Sequence, residues 1–292
     1  MQRTHLHTHT NQGRLLVSGT DSPGIVAAVS GLLTKHGANI VSLDQHSTGP
    51  DGGHFFQRAV FHLNELSEKR PALEVDLHNV LAEQFHLQWS LIDASVPKRV
   101  ALFVSKLDHC LLELLWRHRH GELPMDLVTV VSNHPDLSWV SETFDVPFAH
   151  VPVDKDGKHK AEAAQLELLK GSIDVVVLAR YMQVLSADFL TALAVPVINI
   201  HHSFLPAFIG AAPYRKAKER GVKLIGATAH FVTEDLDEGP IIEQDVVRVS
   251  HTDTTEDLVR RGTDIERLVL SRAVRAFCED RIMRDGTTTV VF

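Results

Sequence analysis

Apolar positions in the first ninety residues recur at helical spacing in two segments and at strand spacing in four others. A helix beginning at Pro23 has one apolar face, with Asp21 or Ser22 as its cap and Gly37 as its end. A second helix is expected at residues 72–83, and strands at 14–19, 39–47, 55–63 and 87–91. The resulting order is β-α-β-β-α-β, a ferredoxin-like α/β domain.

From residue 99 the pattern changes to continuous apolar strands separated by helices. Strands are expected at 99–105, 127–132 and 174–179, and helices at 110–117 and 161–169. This alternation predicts a doubly wound, mostly parallel sheet with its site beyond the carboxyl ends of the strands. A long amphipathic helix follows at 255–282, with Asp264, Glu266 and Arg267 on a solvated face, and residues 287–292 end the chain as an edge strand.

A chain of 292 residues exceeds the usual size of one domain. We therefore expect four parts: a disordered tail at 1–13, a first domain at 14–92, a linker at 93–98 and a second domain at 99–292. Alternating His5, His7 and His9 suggest a metal site, but a polar terminus is the simpler interpretation.

Composition narrows the class of protein. The formal net charge is −8 and no long basic run occurs, which argues against nucleic acid as a partner. No segment has the length and hydropathy of a membrane span or the apolar core of a signal peptide, so we expect a cytoplasmic protein without membrane contact. Cys110 and Cys278 lack metal-ligand spacing and are interpreted as structural thiols.

The candidate chemistry lies in two segments. Asn199 and His201 end an apolar strand two residues apart, so both side chains project from the same face. A second strand leads into an acidic turn, 234–238, from which one carboxylate could reach that pair. Taken singly, each of these residues is more often a turn former or a satisfied polar group. Their combination favours a site.

The segment Asn199-Ile-His-His-Ser-Phe-Leu-Pro206, with Gly210, and the turn Asp237-Glu-Gly-Pro-Ile241 resemble the folate-dependent formyltransferase superfamily. The resemblance implies a catalytic set of Asn199, His201 and Asp237. It also implies that the folate ring contacts Met182, Gln183, Val184 and Leu185, although that segment could be a loop packed on the next helix. Thr228 and His230 either support the site or belong to the core.

The segments Asp21-Ser-Pro-Gly-Ile-Val26 and Gly37-Ala-Asn-Ile40 resemble an ACT domain. The resemblance implies pairing of subunits, and so a homo-oligomer, either a dimer or a tetramer. It also implies a small effector, commonly an amino acid, bound near Asp21, Gly24, Gly37 and Asn39. A module that pairs subunits and binds nothing is an equal alternative.

The first loop of the second domain, Val104-Ser-Lys-Leu-Asp-His-Cys-Leu111, contains no glycine, and Asp108 lies where a phosphorylated acceptor would need donors. With the ACT-like segment, the chain resembles the members of the superfamily that hydrolyse 10-formyltetrahydrofolate to formate and tetrahydrofolate, feeding one-carbon and purine metabolism. That reaction needs the folate as substrate, with no resident cofactor and no metal. The alternatives are formyl transfer to an amine metabolite and a regulator that binds without catalysis.

The same resemblance sets the expected roles. Asn199 and His201 donate hydrogen bonds to the formyl oxygen, where charge develops during attack by water. Asp237 either takes the proton of the water, for which partial desolvation should raise its pKa, or orients His201. The sequence leaves both roles of Asp237 open.

Overall fold

The structure is a computed structural model that describes residues 9–49, 51–154, 157–206 and 213–292. His5 and His7 of the expected tail lie outside these ranges. The chain divides into two compact units, one of residues 1–97, 279–283 and 290–292 and the other of 98–278 and 284–289. The boundary at 97/98 falls in the expected linker, whereas part of the carboxyl-terminal segment groups with the first unit.

The first unit has the expected β-α-β-β-α-β order. Its elements are β1 (Gln12–Thr20), α1 (Ile25–Lys35), β2 (Asn39–Ser47), β3 (His54–His62), α2 (Leu66–Leu77), a π-helical segment (His78–Gln84) and β4 (Gln88–Asp93). The strands form an antiparallel sheet in the order β2-β3-β1-β4. β1 begins two residues inside the expected tail. Fully buried side chains from the sheet and both helices, such as Leu15, Leu33 and Leu77, form one core.

The start of α1 differs from the prediction. The helix begins at Ile25 rather than Pro23, and Gly24 before it adopts a left-handed conformation with φ of 98°. No side chain caps the helix. Asp21 instead accepts a hydrogen bond from the Ser47 hydroxyl at 2.6 Å. Gly37, with φ of 78°, follows the helix end as expected, because only glycine adopts this conformation at little cost.

The second unit alternates strands and helices. Its elements, with the closing hairpin, are β5 (Lys98–Val104), α3 (His109–Arg119), β6 (Met125–Ser132), α4 (Val140–Phe144), β7 (Phe148–His150), α5 (Lys158–Leu169), β8 (Val175–Leu178), α6 (Ala187–Leu193), β9 (Val197–His201), α7 (Pro213–Arg220), β10 (Leu224–Phe231), β11 (Ile241–Arg248), α8 (Thr255–Cys278), β12 (Ile282–Asp285) and β13 (Thr288–Val291).

The main sheet of this unit is mostly parallel, in the order β11-β10-β9-β8-β5-β6-β7. The strands from β9 to β7 run parallel, and β10 runs antiparallel to both of its neighbours. The chain builds outward from β5 through β6 to β7, and then from β8 in the other direction. This reversal between β5 and β8 is the topological switch point of a doubly wound sheet, which confirms the predicted fold class.

The predicted end of the long helix, at residue 282, was wrong. α8 ends at Cys278, because Asp280 adopts a left-handed φ of 52° and Ile282 begins β12. The last strand, β13, pairs with β12 in a two-stranded sheet, so it is an edge strand, as expected. Cys110 and Cys278 are buried and are not joined in a disulfide. Within the described ranges, no helix is long and apolar enough to cross a bilayer.

Candidate active site

Strands β9 and β10 bring four predicted site residues to one face of the sheet. In their antiparallel register Asn199 lies opposite His230, and His201 lies opposite Thr228. Side chains directly opposite each other in adjacent strands share a face. The two-residue spacing of Asn199 and His201 is therefore matched by that of Thr228 and His230, and the four polar groups form one patch.

The turn after β10 carries the third predicted catalytic residue, Asp237, back to this patch. Its carboxylate lies 3.2 Å from His201 Nδ1 and 3.7 Å from His230 Nε2. The turn is tight: Asp237 has a left-handed φ of 59°, and a Cβ on Gly239 would lie 1.7 Å from the Phe231 carbonyl oxygen. Asn199, His201 and Asp237 are thus brought together.

The two ring nitrogens of His201 have different surroundings. Nδ1 faces the Asp237 carboxylate. Nε2 is buried and has no hydrogen-bond partner among the described residues. A buried polar atom without a partner carries a free-energy cost, so it is retained where a ligand or a water completes it. His201 therefore has one nitrogen fixed by a carboxylate and the other available for a reacting group.

The pKa of Asp237 moves opposite to the direction expected for a general base. The hydrogen bond from His201 is the largest effect, the close approach of His230 is second, and together they outweigh burial and hold the pKa of Asp237 well below its usual range. A carboxylate with a lowered pKa is a weak base and a strong partner for an adjacent imidazolium. The expectation of a raised pKa is wrong, and the orienting role of Asp237 is favoured.

His230 orients the Asn199 amide. The Asn199 Nδ2 lies 3.2 Å from His230 Nε2, and His230 Nδ1 lies 2.9 Å from the Phe231 carbonyl oxygen. Because a carbonyl only accepts, Nδ1 carries the proton and Nε2 accepts from the amide. One hydrogen of the Asn199 amide is engaged in this way, so the direction of the other is fixed.

Thr228 holds the segment that follows His201. Its hydroxyl donates to the Ser203 carbonyl oxygen at 2.9 Å and accepts from the Leu205 amide at 3.0 Å. Gln244 Nε2 also donates to this hydroxyl, at 2.9 Å. Thr228 is fully buried, so it supports the backbone of this segment from the protein interior. Gly210, further along the same motif, lies outside the described residues.

The predicted folate loop follows β8, whose Leu178 pairs with Asn199 of β9. The Met182 amide donates to the Ser105 hydroxyl at 3.0 Å, which fixes the start of the loop. Met182 and Val184 are each 56% exposed, whereas Gln183 and Leu185 are half-buried. Exposed apolar side chains beside a polar site are typical of a surface that contacts a ring.

One group near the site was not predicted. Glu266 was expected on a solvated face of the long helix, but it is only 2% exposed. Its carboxylate accepts from Tyr214 at 2.6 Å and lies 2.9 Å from His109 Nε2 and 3.4 Å from Arg180 Nε. The sequence did indicate that Glu266 is buried. It lies four residues after Gly262 and three before the buried Val269, within the apolar stripe of α8.

Comparisons with known proteins agree with the two-unit organisation. A family model described as formyl transferase matches residues 98–274, and one described as ACT domain matches residues 13–74. The formyltetrahydrofolate deformylase of Mycobacterium bovis is 59% identical over 280 residues, which cover 96% of this chain and 90% of that protein. The formyltetrahydrofolate deformylase of Bacillus subtilis is 52% identical over 283 residues, which cover 97% and 94%.

Solved structures agree as well. The crystal structure of a formyltetrahydrofolate deformylase from Pseudomonas syringae matches with a TM-score of 0.90 at 46% identity. The match covers 99% of this chain and 99% of that one. The likeness therefore includes both units.

Proposed function

The chain belongs to the formyltetrahydrofolate deformylase family, and we propose that Asn199, His201 and Asp237 carry out its reaction, the hydrolysis of 10-formyltetrahydrofolate to formate and tetrahydrofolate. One observation carries this assignment. The buried Nε2 of His201 has no partner among the described residues, while Nδ1 is fixed by Asp237. A water at Nε2 would complete the hydrogen bonding and stand ready to attack.

In this mechanism His201 Nε2 does not donate to the formyl oxygen, the role expected from the sequence, but takes a proton from the water as its oxygen attacks the formyl carbon. Asp237 stabilises the imidazolium that forms, in keeping with its lowered pKa. The free hydrogen of the Asn199 amide points at the developing oxyanion. His201 then returns the proton to the folate nitrogen, the carbon–nitrogen bond breaks, and formate and tetrahydrofolate leave.

The folate itself would lie against the loop at the carboxyl end of β8. We assign its contacts to Met182, Gln183, Val184 and Leu185, of which Met182 and Val184 offer exposed apolar surface. The loop is supported from below by Glu162, which accepts hydrogen bonds from the Ser186 amide and hydroxyl at 2.9 and 2.7 Å. These contacts fix the end of the loop as well as its start.

The ACT unit supports a regulatory and assembly role. We propose that Asp21, Gly24, Gly37 and Asn39 lie at an effector site or subunit contact and that the enzyme is a homo-oligomer. The left-handed Gly24 directly before α1 leaves the first amides of that helix without a side-chain cap. The two buried cysteines are not joined in a disulfide, which fits a cytoplasmic enzyme, in which thiols stay reduced.

The test is release of formate and tetrahydrofolate from 10-formyltetrahydrofolate with no amine present. We expect equal amounts of both products from the parent and a fall in kcat of roughly 10²–10⁴-fold in Asp237→Asn, because the imidazolium loses its partner. Asp235→Asn is the matched control, since it removes the same charge from an exposed position of the same turn. It should retain the activity of the parent.

Two results would overturn the proposal. The first is a folded parent that releases tetrahydrofolate only when an amine acceptor is added, which would indicate a formyltransferase. The second is equal activity in Asp237→Asn and Asp235→Asn, which would remove Asp237 from the reaction.

A further inference from the structure

A buried polar cluster lies beside the site and takes no part in the mechanism above. Glu266 of α8 is its centre, and His109, Arg180 and Tyr214 each contact the Glu266 carboxylate. Burial alone would raise the pKa of Glu266, but the His109 hydrogen bond, the Arg180 charge and the Tyr214 hydrogen bond outweigh it and lower the pKa. Both carboxylate oxygens of Glu266 are therefore engaged within the cluster.

Its location in the fold is specific. His109 is the first residue of α3, after β5, and Arg180 follows β8. β5 and β8 are the neighbouring strands between which the chain reverses direction. In open α/β sheets the crevice beyond the carboxyl ends of these two strands is where ligands bind. Here side chains of the chain itself, held by Glu266, occupy that crevice.

The cluster also reaches the reacting groups. The Tyr214 ring lies 6.0 Å from the His202 ring, and the His202 ring lies 5.3 Å from that of His201. Burial, and then the Arg180 charge, lower the pKa of His202 to about 4. The wall between the cluster and His201 is therefore an uncharged imidazole packed on a tyrosine.

A metal site is the competing interpretation, since the ligand atoms of His109, Cys110 and Glu266 lie within 4.8 Å of one another. A metal would require the thiolate of Cys110, whereas burial, and then the charge of Glu266, raise the pKa of that thiol. The Arg180 guanidinium also lies at the same carboxylate and would repel a cation. The cluster is better described as an ion pair with two added hydrogen bonds.

We propose that Glu266, His109, Arg180 and Tyr214 form a plug that excludes an organic acceptor and so leaves water as the nucleophile at the formyl carbon. This inference rests on the proposed function, and it names what determines the choice of acceptor. In transfer, an amine nitrogen would bond to the formyl carbon, the bond to the folate nitrogen would break, and an amine proton would pass through His201 to that nitrogen. The plug fills the space that the amine would need and does not affect the groups that act on the formyl carbon.

Arg180→Gly removes the largest movable part of the plug at little cost to the backbone. Arg180 has a left-handed φ of 64°, a conformation that glycine adopts freely and arginine does not. Glu266 keeps its contacts with His109 and Tyr214. The variant therefore opens the crevice, and Glu266, which loses the Arg180 charge, keeps two hydrogen-bonding partners.

The experiment measures the products of 10-formyltetrahydrofolate with increasing glycinamide as the amine. For the parent we expect formate and tetrahydrofolate in equal amounts at every glycinamide concentration. For Arg180→Gly we expect formate to fall below tetrahydrofolate as glycinamide rises, with N-formylglycinamide making up the difference. A merely structural defect would slow both products together and leave their ratio unchanged.

Two control variants isolate the cause. Asp145→Gly replaces another non-glycine residue with a left-handed φ, 57°, at an exposed position of the same unit, and should keep the parent ratio. Glu266→Gln keeps the volume of the plug and should also yield formate alone.

The proposal is overturned if Arg180→Gly still yields formate alone at high glycinamide. It is also overturned if this variant stays folded but releases no tetrahydrofolate, because a plug is not needed for hydrolysis. A parent that makes no formate at all would instead contradict the proposed function.

Discussion

Gly262 is the position at which one added methyl group should disturb the buried cluster. It lies in α8 against Tyr214, and a Cβ there would lie 2.0 Å from the Tyr214 hydroxyl oxygen and 2.2 Å from the ring carbon that bears it. Tyr214 would have to move by on the order of an ångström to restore an ordinary contact. Its 2.6 Å hydrogen bond to Glu266 would be lost in the process.

The magnitude of Gly262→Ala follows from three effects. Overpacking costs about 1–3 kcal/mol. Loss of a donor to the buried Glu266 carboxylate costs about 1–3 kcal/mol more. Alanine gains about 1 kcal/mol over glycine inside a helix. The net expectation is a loss of about 3 kcal/mol in the free energy of unfolding, which corresponds to roughly 6–12 °C in Tm for a unit of this size.

The assay is thermal and denaturant unfolding of four proteins: the parent, Gly262→Ala, Tyr214→Ala and the double variant. If the ring is the cause, the Gly262→Ala cost should largely disappear in the Tyr214→Ala background. Gly31→Ala is the helix-interior control, since a Cβ there meets nothing within 4 Å, and it should be neutral or stabilising. A Gly262→Ala protein as stable as the parent would refute the reasoning.

Three further outcomes are expected. Asn199→Ala should lower kcat by roughly a hundredfold or more with the fold intact, because one oxyanion donor is lost; unchanged steady-state kinetics would contradict this. Since the pKa of Asp237 is lowered in the folded protein, its stabilisation is full above about pH 4 and is lost as the pH falls. The difference in unfolding free energy between the parent and Asp237→Asn should therefore shrink between pH 5 and 3 in denaturant titrations, and a constant difference would exclude this linkage. Thr228→Val should cost about 1–3 kcal/mol and lower kcat, since Ser203, Leu205 and Gln244 lose a shared partner; melting and turnover measured together check both effects.

Periodicity predicted the fold well because each domain buries one face of nearly every element. The apolar runs at β5, β6 and β8 could only be strands covered on both sides, and their alternation with helices implied the parallel order. The ends of elements were less predictable. Whether α1 began at Pro23 or Ile25 depended on the left-handed Gly24, a backbone conformation that no local pattern specifies.

The site was predictable where two residues share one strand, as Asn199 and His201 do. It was not predictable where side chains from distant segments meet. The direction of the Asp237 pKa shift depended on two histidines, His201 and His230, whose joint approach only the sheet register reveals. Glu266 was misjudged because charge suggested solvent, whereas its position within the apolar stripe of α8 indicated burial.

Two adjacent histidines are suited to different roles because their surroundings differ. His201 and His202 are consecutive, and their rings lie 5.3 Å apart. The Nδ1 of His201 faces a carboxylate, so the imidazolium of the proposed mechanism would have a partner of opposite charge. His202 faces Tyr214 instead, and burial, with the Arg180 charge second, lowers its pKa to about 4, so it stays uncharged at neutral pH. Of these two residues, His201 is therefore the one suited to carry the proton in the proposed reaction, and His202 supplies an uncharged wall between His201 and the Glu266 cluster.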